Sequence, residues 1–261
     1  MATSPSTARR CCRSRIVIPA RLESTRLPEK LLLRETGKPL IRHTYEAAQQ
    51  ARRPEGVCVA TDHRKIYDEV RLFGGNAEMT DPAAPSGTDR VAEVARRMTG
   101  VEIIVNLQGD EPELSGESID LVVKLLEDEP EAVMSTLATP IRRREQLEDP
   151  ACVKVVFDRG GRAMYFSRSP IPFARDGAER FLGAAPPVFF QHIGLYAYRR
   201  DFLLKLAEMP PSALEGVEEL EQLRVLEAGY PILVGVVDEA SVGIDTPEDY
   251  RAFVERWRRT H

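Results

Sequence analysis

The chain has 261 residues, of which 43% are hydrophobic and 30% are charged, a composition typical of a globular α/β protein. The net charge of −5 and the dispersed basic residues argue against general nucleic-acid binding, and no apolar run approaches the ~20 residues of a membrane-spanning helix. The four cysteines have neither zinc-ligand nor redox spacing, which favours a reducing compartment and a cytoplasmic location.

The N-terminal segment differs in composition from the rest of the chain. Residues 1–15 contain four arginines, no acidic residue and no apolar face. We therefore expect residues 1–14 to be a disordered basic tail. One domain is predicted over residues 15–258.

The domain is predicted to begin with a β-branched strand over residues 16–18, which Pro19 should end. A polar loop follows and carries three cations, Arg21, Arg26 and Lys30. These side chains could bind a polyphosphate, or they could simply pair with nearby acids. The loop alone does not distinguish these two interpretations.

Strands and helices then alternate, which predicts an open and mostly parallel sheet. The apolar spacing places strands at 57–60, 101–107 and 132–141, and helices at 40–52, 62–73, 88–98 and 116–127. Three helices have acidic or hydroxyl residues where an N-cap is expected: Thr61 and Asp62, then Thr88 or Asp89, and finally Asp245.

The pattern changes near residue 140. A hairpin is predicted over 153–157 and 163–167, followed by a strand at 189–198, helices at 200–208 and 215–227, and a strand at 231–237. We expect residues 140–230 to form a smaller mixed α+β part joined to the α/β core.

Polar clusters follow the predicted strands, where open α/β sheets bind ligands. Asp110 comes directly after the strand at 101–107 and could hold a hard divalent cation, or make local turn hydrogen bonds. Asp245 could likewise bind a metal while capping the last helix. Together with the basic loop they indicate a magnesium nucleotide site. The chain lacks a Walker loop and a Gly-x-Gly-x-x-Gly motif after the first strand, which excludes the common ATPase and dinucleotide sites.

The segment 18–30 and eight further ordered motifs between about residues 15 and 255 carry a resemblance to a known family. The eight motifs are residues 60–62, 86–90, 106–112, 153–156, 165–172, 192–196, 220–226 and 243–249. The chain resembles the sugar-acid cytidylyltransferases, most closely the 3-deoxy-D-manno-octulosonate (KDO) cytidylyltransferases. The resemblance implies a Rossmann-like, GT-A-like nucleotidyltransferase fold in three layers, and a homodimer in which residues 140–230 bind sugar and form the interface.

The resemblance also implies a reaction. CTP and KDO would give CMP-KDO and pyrophosphate with Mg²⁺, supplying lipopolysaccharide or a related glycoconjugate. Two alternatives remain open at this point. The substrate could be another ulosonic acid, such as amino-KDO or a sialic-acid-like sugar, or the chain could be a non-catalytic nucleotide-binding homologue.

Matching positions assign roles by the same resemblance. The implied catalytic residues are Arg21, Lys30, Asp110 and Asp245, with Asp110 and Asp245 also holding the metal. The implied CTP-binding residues are Pro19, Ala20, Arg21, Lys30, Ser86, Arg90 and Gln108. The implied sugar-binding residues are Arg168, His192, Tyr196, Glu221 and Gln222.

Two positions depart from the family pattern. Glu29 stands where glycine is common and places an acid beside Lys30, although we expect it to point outward. Gln191 stands where a basic residue is frequent, so the preferred sugar could differ.

Overall fold

The computed structural model describes residues 12–260, which contain nine strands and ten α-helices. The strands are β1 (Ser14–Ala20), β2 (Val57–Thr61), β3 (Ala77–Met79), β4 (Ile103–Asn106), β5 (Met134–Pro140), β6 (Lys154–Phe157), β7 (Ala163–Ser167), β8 (Phe190–Arg199) and β9 (Ile232–Val236). The helices are α1 (Leu40–Ala48), α2 (Arg64–Leu72), α3 (Gly87–Arg97), α4 (Gly116–Asp128), α5 (Arg144–Glu148), α6 (Glu179–Leu182), α7 (Arg200–Leu206), α8 (Ala213–Glu218), α9 (Gln222–Glu227) and α10 (Pro247–Thr260).

Seven strands form the main sheet in the order β3-β2-β1-β4-β8-β5-β9. Six of them are parallel to one another, and β8 is antiparallel to both neighbours. The prediction of a mostly parallel sheet is confirmed. Because β1 and β4 are adjacent and parallel, the basic loop after β1 and the acidic turn after β4 leave the sheet at the same edge.

The sheet is the middle of three layers. On β1, Ile16 and Ile18 face one apolar core while Val17 faces the other, as the alternation of side chains in a strand requires. Helices α1, α2, α4 and α10 contribute to the first core, and α3, α7 and α9 to the second. The predicted three-layer α/β architecture is therefore confirmed. No helix within residues 12–260 is long and apolar enough to cross a bilayer.

The first strand is longer than expected at both ends. It begins at Ser14, so the last residue of the expected tail belongs to the sheet, and residues 1–11 lie outside the described residues. It also runs through Pro19. The Ile16 amide donates to Gly56 on the β2 side, so the nitrogen of Pro19 faces the β4 side. Pairing with β4 ends at Val17, and the missing N–H therefore breaks no ladder hydrogen bond.

Residues 140–230, which we expected to form a smaller mixed α+β part joined to the core, contribute one strand to the main sheet. Strand β8 comes from this range, yet it lies between β4 and β5. The predicted β6–β7 hairpin is confirmed and joins the sheet through Lys154, which pairs with Gln191 of β8. The single helix expected at 215–227 is divided into α8 and α9, because Glu219 adopts a left-handed conformation (φ 52°) between them.

Three helix caps differ from the predicted ones by one or two residues. The side chain of His63 caps α2, and the side chain of Ser86 caps α3 by accepting from the Asp89 amide at 3.1 Å. Before α10, Thr246 accepts from the Asp249 amide, also at 3.1 Å. Asp62, Thr88 and Asp245, which the sequence suggested as caps, therefore have carboxylates or hydroxyls available for other partners.

Candidate active site

A polar cleft of about 350 Å³ lies beyond the carboxyl ends of β1 and β4. Six of the residues expected at a nucleotide site line it: Pro19, Arg21, Lys30, Gln108, Asp110 and Asp245. The remaining lining comes from the loop after β1, from Gly87 at the start of α3, and from Leu31 and Gly109. Ala20 and Ser86 are next in sequence to lining residues, whereas Arg90 is not part of the lining.

Lys30 is the centre of the charged end of this cleft. Its Nζ forms ion pairs with Asp110 and, at 3.1 Å, with Asp245, and donates to the Ile244 carbonyl at 3.0 Å. Partial burial opposes the charge, but the two carboxylates outweigh it and raise the pKa of Lys30 above its usual value. The ammonium is therefore held charged at the position where a triphosphate would need neutralisation.

A main-chain hydrogen bond next to Asp245 holds this residue close to Asp110 and Lys30. The Ile244 amide donates to the Asp110 carbonyl at 2.9 Å, which ties the end of β4 to the segment before α10. Since Thr246 caps α10, the Asp245 carboxylate is free to pair with Lys30 and with Arg26, whose Nη2 lies 3.1 Å from Oδ1. The expected capping role of Asp245 is thus wrong, while its position in the cleft supports the metal role.

The donor set suits Mg²⁺ bound together with a nucleotide. Mg²⁺ usually takes one or two carboxylates and completes its shell with substrate phosphates and water. Asp110 and Asp245 supply two carboxylates that already converge on one cation, the Lys30 ammonium. Within residues 12–260 no group of three or more acidic, histidine or cysteine side chains is placed to hold a metal ion. Asp110 and Asp245 are candidate ligands for a metal whose shell substrate phosphates would have to complete.

Glu111, the residue after Asp110, is a partly buried acid to which the sequence assigned no role of its own. Its carboxylate accepts a hydrogen bond from the Ser241 hydroxyl. Burial raises the pKa of Glu111 to about 7, and the nearby charges of Asp110 and Asp245 act in the same direction. Its contact with Ser241 fixes a second point of the segment that leads to Asp245.

Two further charged residues of the loop, Arg21 and Glu29, point in different directions. The Nη2 of Arg21 donates to the Ala84 carbonyl at 3.2 Å, which bridges the loop to the segment before α3 and leaves the guanidinium on the cleft wall. Glu29 lies outside the cleft lining and pairs with Lys65 on the surface at 2.7 Å. Glu29 therefore points away from the cleft, as expected.

The nucleotide end of the cleft is formed by close main-chain approach. A side chain at Gly109 would place its Cβ 3.3 Å from both the Pro19 carbonyl and Leu31, tighter than ordinary contact, so any larger residue would push these neighbours away by a few tenths of an ångström. Gln108 projects beside Gly87 and its Nε2 donates to the Asn106 amide oxygen at 3.3 Å.

Arg90, an expected CTP-binding residue, is fully buried away from the cleft lining. Its Nη2 lies 2.7 Å from the Asp62 carboxylate, and Nη1 donates to Thr80 and the Asp81 carbonyl. The guanidinium therefore joins the ends of β2 and β3 to α3. Its contact with cytidine remains a prediction.

We expect Arg90→Met to lower the free energy of unfolding by about 3 kcal/mol, because it leaves the Asp62 carboxylate without its cation. Urea denaturation measures the loss. The control is Arg64→Met, which removes an exposed i,i+4 pair with Asp68 and should change stability by no more than about 0.5 kcal/mol. Equal stability of the two variants would contradict the structural role of Arg90.

Three of the expected sugar-binding residues lie together. The rings of His192 and Tyr196 are 5.4 Å apart, and the Tyr196 hydroxyl donates to Gln222 Oε1 at 3.3 Å. A register shift between β5 and β8 occurs at Thr136, and its hydroxyl lies 2.9 Å from His192 Nε2. Such bulges re-aim side chains and are common beside active sites.

Burial lowers the pKa of His192 to about 3, so its ring is neutral near pH 7. A neutral imidazole can donate from one nitrogen and accept at the other, which suits a sugar hydroxyl. Gln222 is 4% exposed, and its Nε2 has no hydrogen-bond partner within the described residues. The group thus contains polar atoms that a bound polyol could satisfy.

The other two expected sugar-binding residues have different surroundings. Glu221 accepts a hydrogen bond from Thr88 at 2.5 Å, and burial raises the pKa of its carboxyl. Arg168 uses its guanidinium on the carbonyls of Pro150, Glu218 and Glu219. A substrate anion would therefore share Arg168 with main-chain oxygens.

Three further residues near the site were given no site role from the sequence: Asn106, Thr88, which was considered only as a helix cap, and Thr136. Asn106 is 1% exposed at the end of β4, after three buried apolar residues. A polar side chain at the end of an otherwise apolar strand was the available signal. Thr136 gave no such signal, because threonine is ordinary in strands.

The three-layer sheet, the basic loop and the paired carboxylates define a nucleotidyltransferase-type protein. The family model described as "Cytidylyltransferase" matches residues 15–235. A solved structure titled "CMP:2-keto-3-deoxy-manno-octonic acid synthetase complexed with CTP" is 38% identical, with a TM-score of 0.88 over 95% of this chain and all of that one. A 4-diphosphocytidyl-2C-methyl-D-erythritol synthase from Anaerococcus prevotii, at 13% identity and TM-score 0.61, shares the fold.

Curated relatives agree with this class. A 3-deoxy-manno-octulosonate cytidylyltransferase of Rhodopirellula baltica is 52% identical over 242 residues, covering 92% of this chain and 97% of that one. Another, from Syntrophobacter fumaroxidans, is 47% identical over 240 residues, covering 91% and 94%. The chain belongs to the 3-deoxy-manno-octulosonate cytidylyltransferase family.

Proposed function

We propose that the chain transfers a cytidylyl group from CTP to KDO and releases pyrophosphate. The observation that carries the proposal is the convergence of Lys30, Asp110 and Asp245 in the cleft beyond β1 and β4. Nucleotidyl transfer requires positioning and charge neutralisation rather than a protein nucleophile, and this set supplies both.

In the proposed reaction an oxygen of the sugar attacks the α-phosphorus of CTP. The new P–O bond forms as the bond to pyrophosphate breaks, and the hydroxyl proton passes to solvent or a nearby base. Arg21 and Lys30 would neutralise the charge that develops on the departing pyrophosphate. Arg26 pairs with Asp245 and would hold the loop closed over the phosphates.

Mg²⁺ belongs to the proposal as the cofactor, with Asp110 and Asp245 as its protein ligands. When bound, the ion would neutralise phosphate charge and increase the acidity of the attacking hydroxyl. Gln108 and Pro19 would contact the cytidine, with Ala20, Ser86 and Arg90 supporting that end. The side-chain amide of Gln108 offers both a donor and an acceptor, which suit the hydrogen-bonding edge of a pyrimidine. Buried polar contacts discriminate strongly between bases.

The sugar would lie toward His192, Tyr196, Glu221 and Gln222. Support comes from the pairing of β4 with β8, which aligns Asn106 with Tyr196 and so places the two groups side by side. Arg168 would meet the sugar carboxylate from the loop after β7.

The experiment is incubation with CTP, Mg²⁺ and KDO, measuring pyrophosphate and identifying CMP-KDO by mass. Amino-KDO and a sialic acid at fixed CTP test the effect of Gln191 on sugar choice. Faster turnover of either sugar would replace KDO in the proposal. Calorimetric CTP binding with no turnover of any sugar acid would favour a non-catalytic homologue.

The cellular part of the proposal is a cytoplasmic homodimer that supplies lipopolysaccharide or a related glycoconjugate. The segment at 140–230 supports the dimer, because Met164, Phe173 and Val217 are apolar there and 66%, 86% and 83% exposed. Sedimentation equilibrium of the wild-type chain measures the oligomeric state, and a monomer at micromolar concentration would exclude the dimer.

A further inference from the structure

Thr88 has a role that its position in the helix does not explain. It is the second residue of α3 and is 8% exposed. The helix is already capped by Ser86, so the Thr88 hydroxyl is not needed for capping. Its single proton is donated to Glu221 Oε1 at 2.5 Å, across 133 residues of sequence.

Asn106 connects the same hydroxyl to the nucleotide end of the cleft. Its Nδ2 donates to Thr88 Oγ1 at 3.5 Å, and its Oδ1 accepts from Gln108 Nε2 at 3.3 Å. Four side chains thus form one hydrogen-bonded series in the order Gln108, Asn106, Thr88 and Glu221. The series begins in the cleft lining and ends beside the sugar-binding group.

The four side chains of this series cannot rotate independently of one another. A hydroxyl has one proton, and a buried amide that loses its partner bears the desolvation cost of an unpaired polar group. Rotation of Glu221 would leave Thr88 without its acceptor. The adjacent Gln222 has a buried Nε2 without a protein partner in residues 12–260, so the end of the series offers a donor to a polar ligand.

We infer that Thr88 and Asn106 are positioning residues, with the Thr88 hydroxyl orienting the Glu221 carboxylate toward the sugar and Asn106 linking that orientation to Gln108. The inference rests on the proposed function, because it assigns Glu221 to the sugar. Neither residue touches a reacting atom.

Thr88→Val is the principal test, because it removes the hydroxyl and keeps the shape. We expect KM for KDO to rise about tenfold, the effect of losing one hydrogen bond to a charged group, while KM for CTP changes less than about twofold. Thr88→Ser restores the hydroxyl and should bring KM for KDO back to within about threefold of wild type. Thr88→Ala serves if the valine variant does not fold.

Ser135→Ala is the matched control, since it also removes a buried hydroxyl, one that donates to the Val122 carbonyl at 2.6 Å. It should lower the melting temperature and leave both KM values unchanged. In a Glu221→Gln background, Thr88→Val should add little, because its effect passes through Glu221.

Four results separate the possibilities. The positioning role would be overturned if Thr88→Val changed both KM values equally, or if the effects of Thr88→Val and Glu221→Gln were additive. Turnover of KDO by the wild-type protein would in that case still uphold the proposed function. Wild-type KM values in Thr88→Val would likewise overturn the positioning role alone. Absence of wild-type turnover with KDO would overturn the proposed function, and this inference with it.

Discussion

Asp110→Asn should abolish magnesium-dependent release of pyrophosphate, with kcat falling at least about 10³-fold. The amide retains the size of the side chain but removes the charge that pairs with Lys30 and that would bind the metal. A metal at a phosphoryl centre contributes several kcal/mol to the transition state, and each 1.4 kcal/mol corresponds to about tenfold in rate. Steady-state turnover over a range of Mg²⁺ concentrations measures the effect.

The control for this substitution is Asp68→Asn, which removes the same charge from an exposed helix pair with Arg64. Its activity should equal that of the wild type. Thermal melting of Asp110→Asn should show a folded protein, since Lys30 keeps Asp245 and the Ile244 carbonyl as partners. Near-normal turnover of Asp110→Asn would remove Asp110 from the metal role.

Lys30→Met should have two effects of opposite sign. Catalytic efficiency with CTP should fall by about 10²–10³-fold, because a charged donor aimed at the departing phosphates is lost. In the absence of nucleotide, however, a divalent ion should bind more tightly. Nζ lies between Asp110 and Asp245, and its removal leaves Asp110 without a cation and Asp245 with only the exposed Arg26 as its partner.

Electron paramagnetic resonance with Mn²⁺ measures the second effect directly and requires no turnover. Lys65→Met is the matched control, because that lysine is exposed and pairs with Glu29 outside the cleft. It should change neither Mn²⁺ binding nor catalysis. Weaker or unchanged Mn²⁺ binding in Lys30→Met would show that the ammonium and the metal do not compete.

Apolar periodicity was sufficient to predict most of the sheet, and the family resemblance implied the three layers. Its failures have local physical causes. Strand β3 has only three residues, Ala77–Met79, none of them buried, and so presents no apolar pattern. Pro19 does not end β1, because its nitrogen faces a side on which pairing with β4 has already stopped. Which neighbouring strand the Pro19 nitrogen faces depends on the pairing of strands that are distant in sequence, so the sequence alone does not show it.

The cap residues show why only part of the site could be predicted. Composition placed acids and hydroxyls at helix starts, but the true caps are His63, Ser86 and Thr246. A shift of one or two residues frees the side chain that the sequence assigned to capping. In this chain those side chains are the ones that bind Arg90, Glu221 and Lys30. Their partners are far away in sequence, so only the fold reveals them.

The place of strand β8 in the sheet is the feature of the organisation that the sequence did not predict, although the strand itself was expected at 189–198. Its residues have an ordinary strand pattern, and nothing in them indicates an antiparallel position between β4 and β5. The placement matters for function, because it sets Tyr196 opposite Asn106 at the end of β4, the strand that leads to Asp110, while His192 pairs with Ala138 of β5.

The same placement affects how the chain is made. There is an interval during synthesis when Pro140 has left the ribosome but β8 has not. In this interval β4 and β5 each lack β8, the strand that lies between them in the folded sheet. At synthesis rates of about 5–20 residues per second, this interval lasts several seconds. Two inner strands then offer unpaired edges to other nascent chains. A chaperone that shields β4 and β5 until Arg199 emerges would raise the yield of native protein.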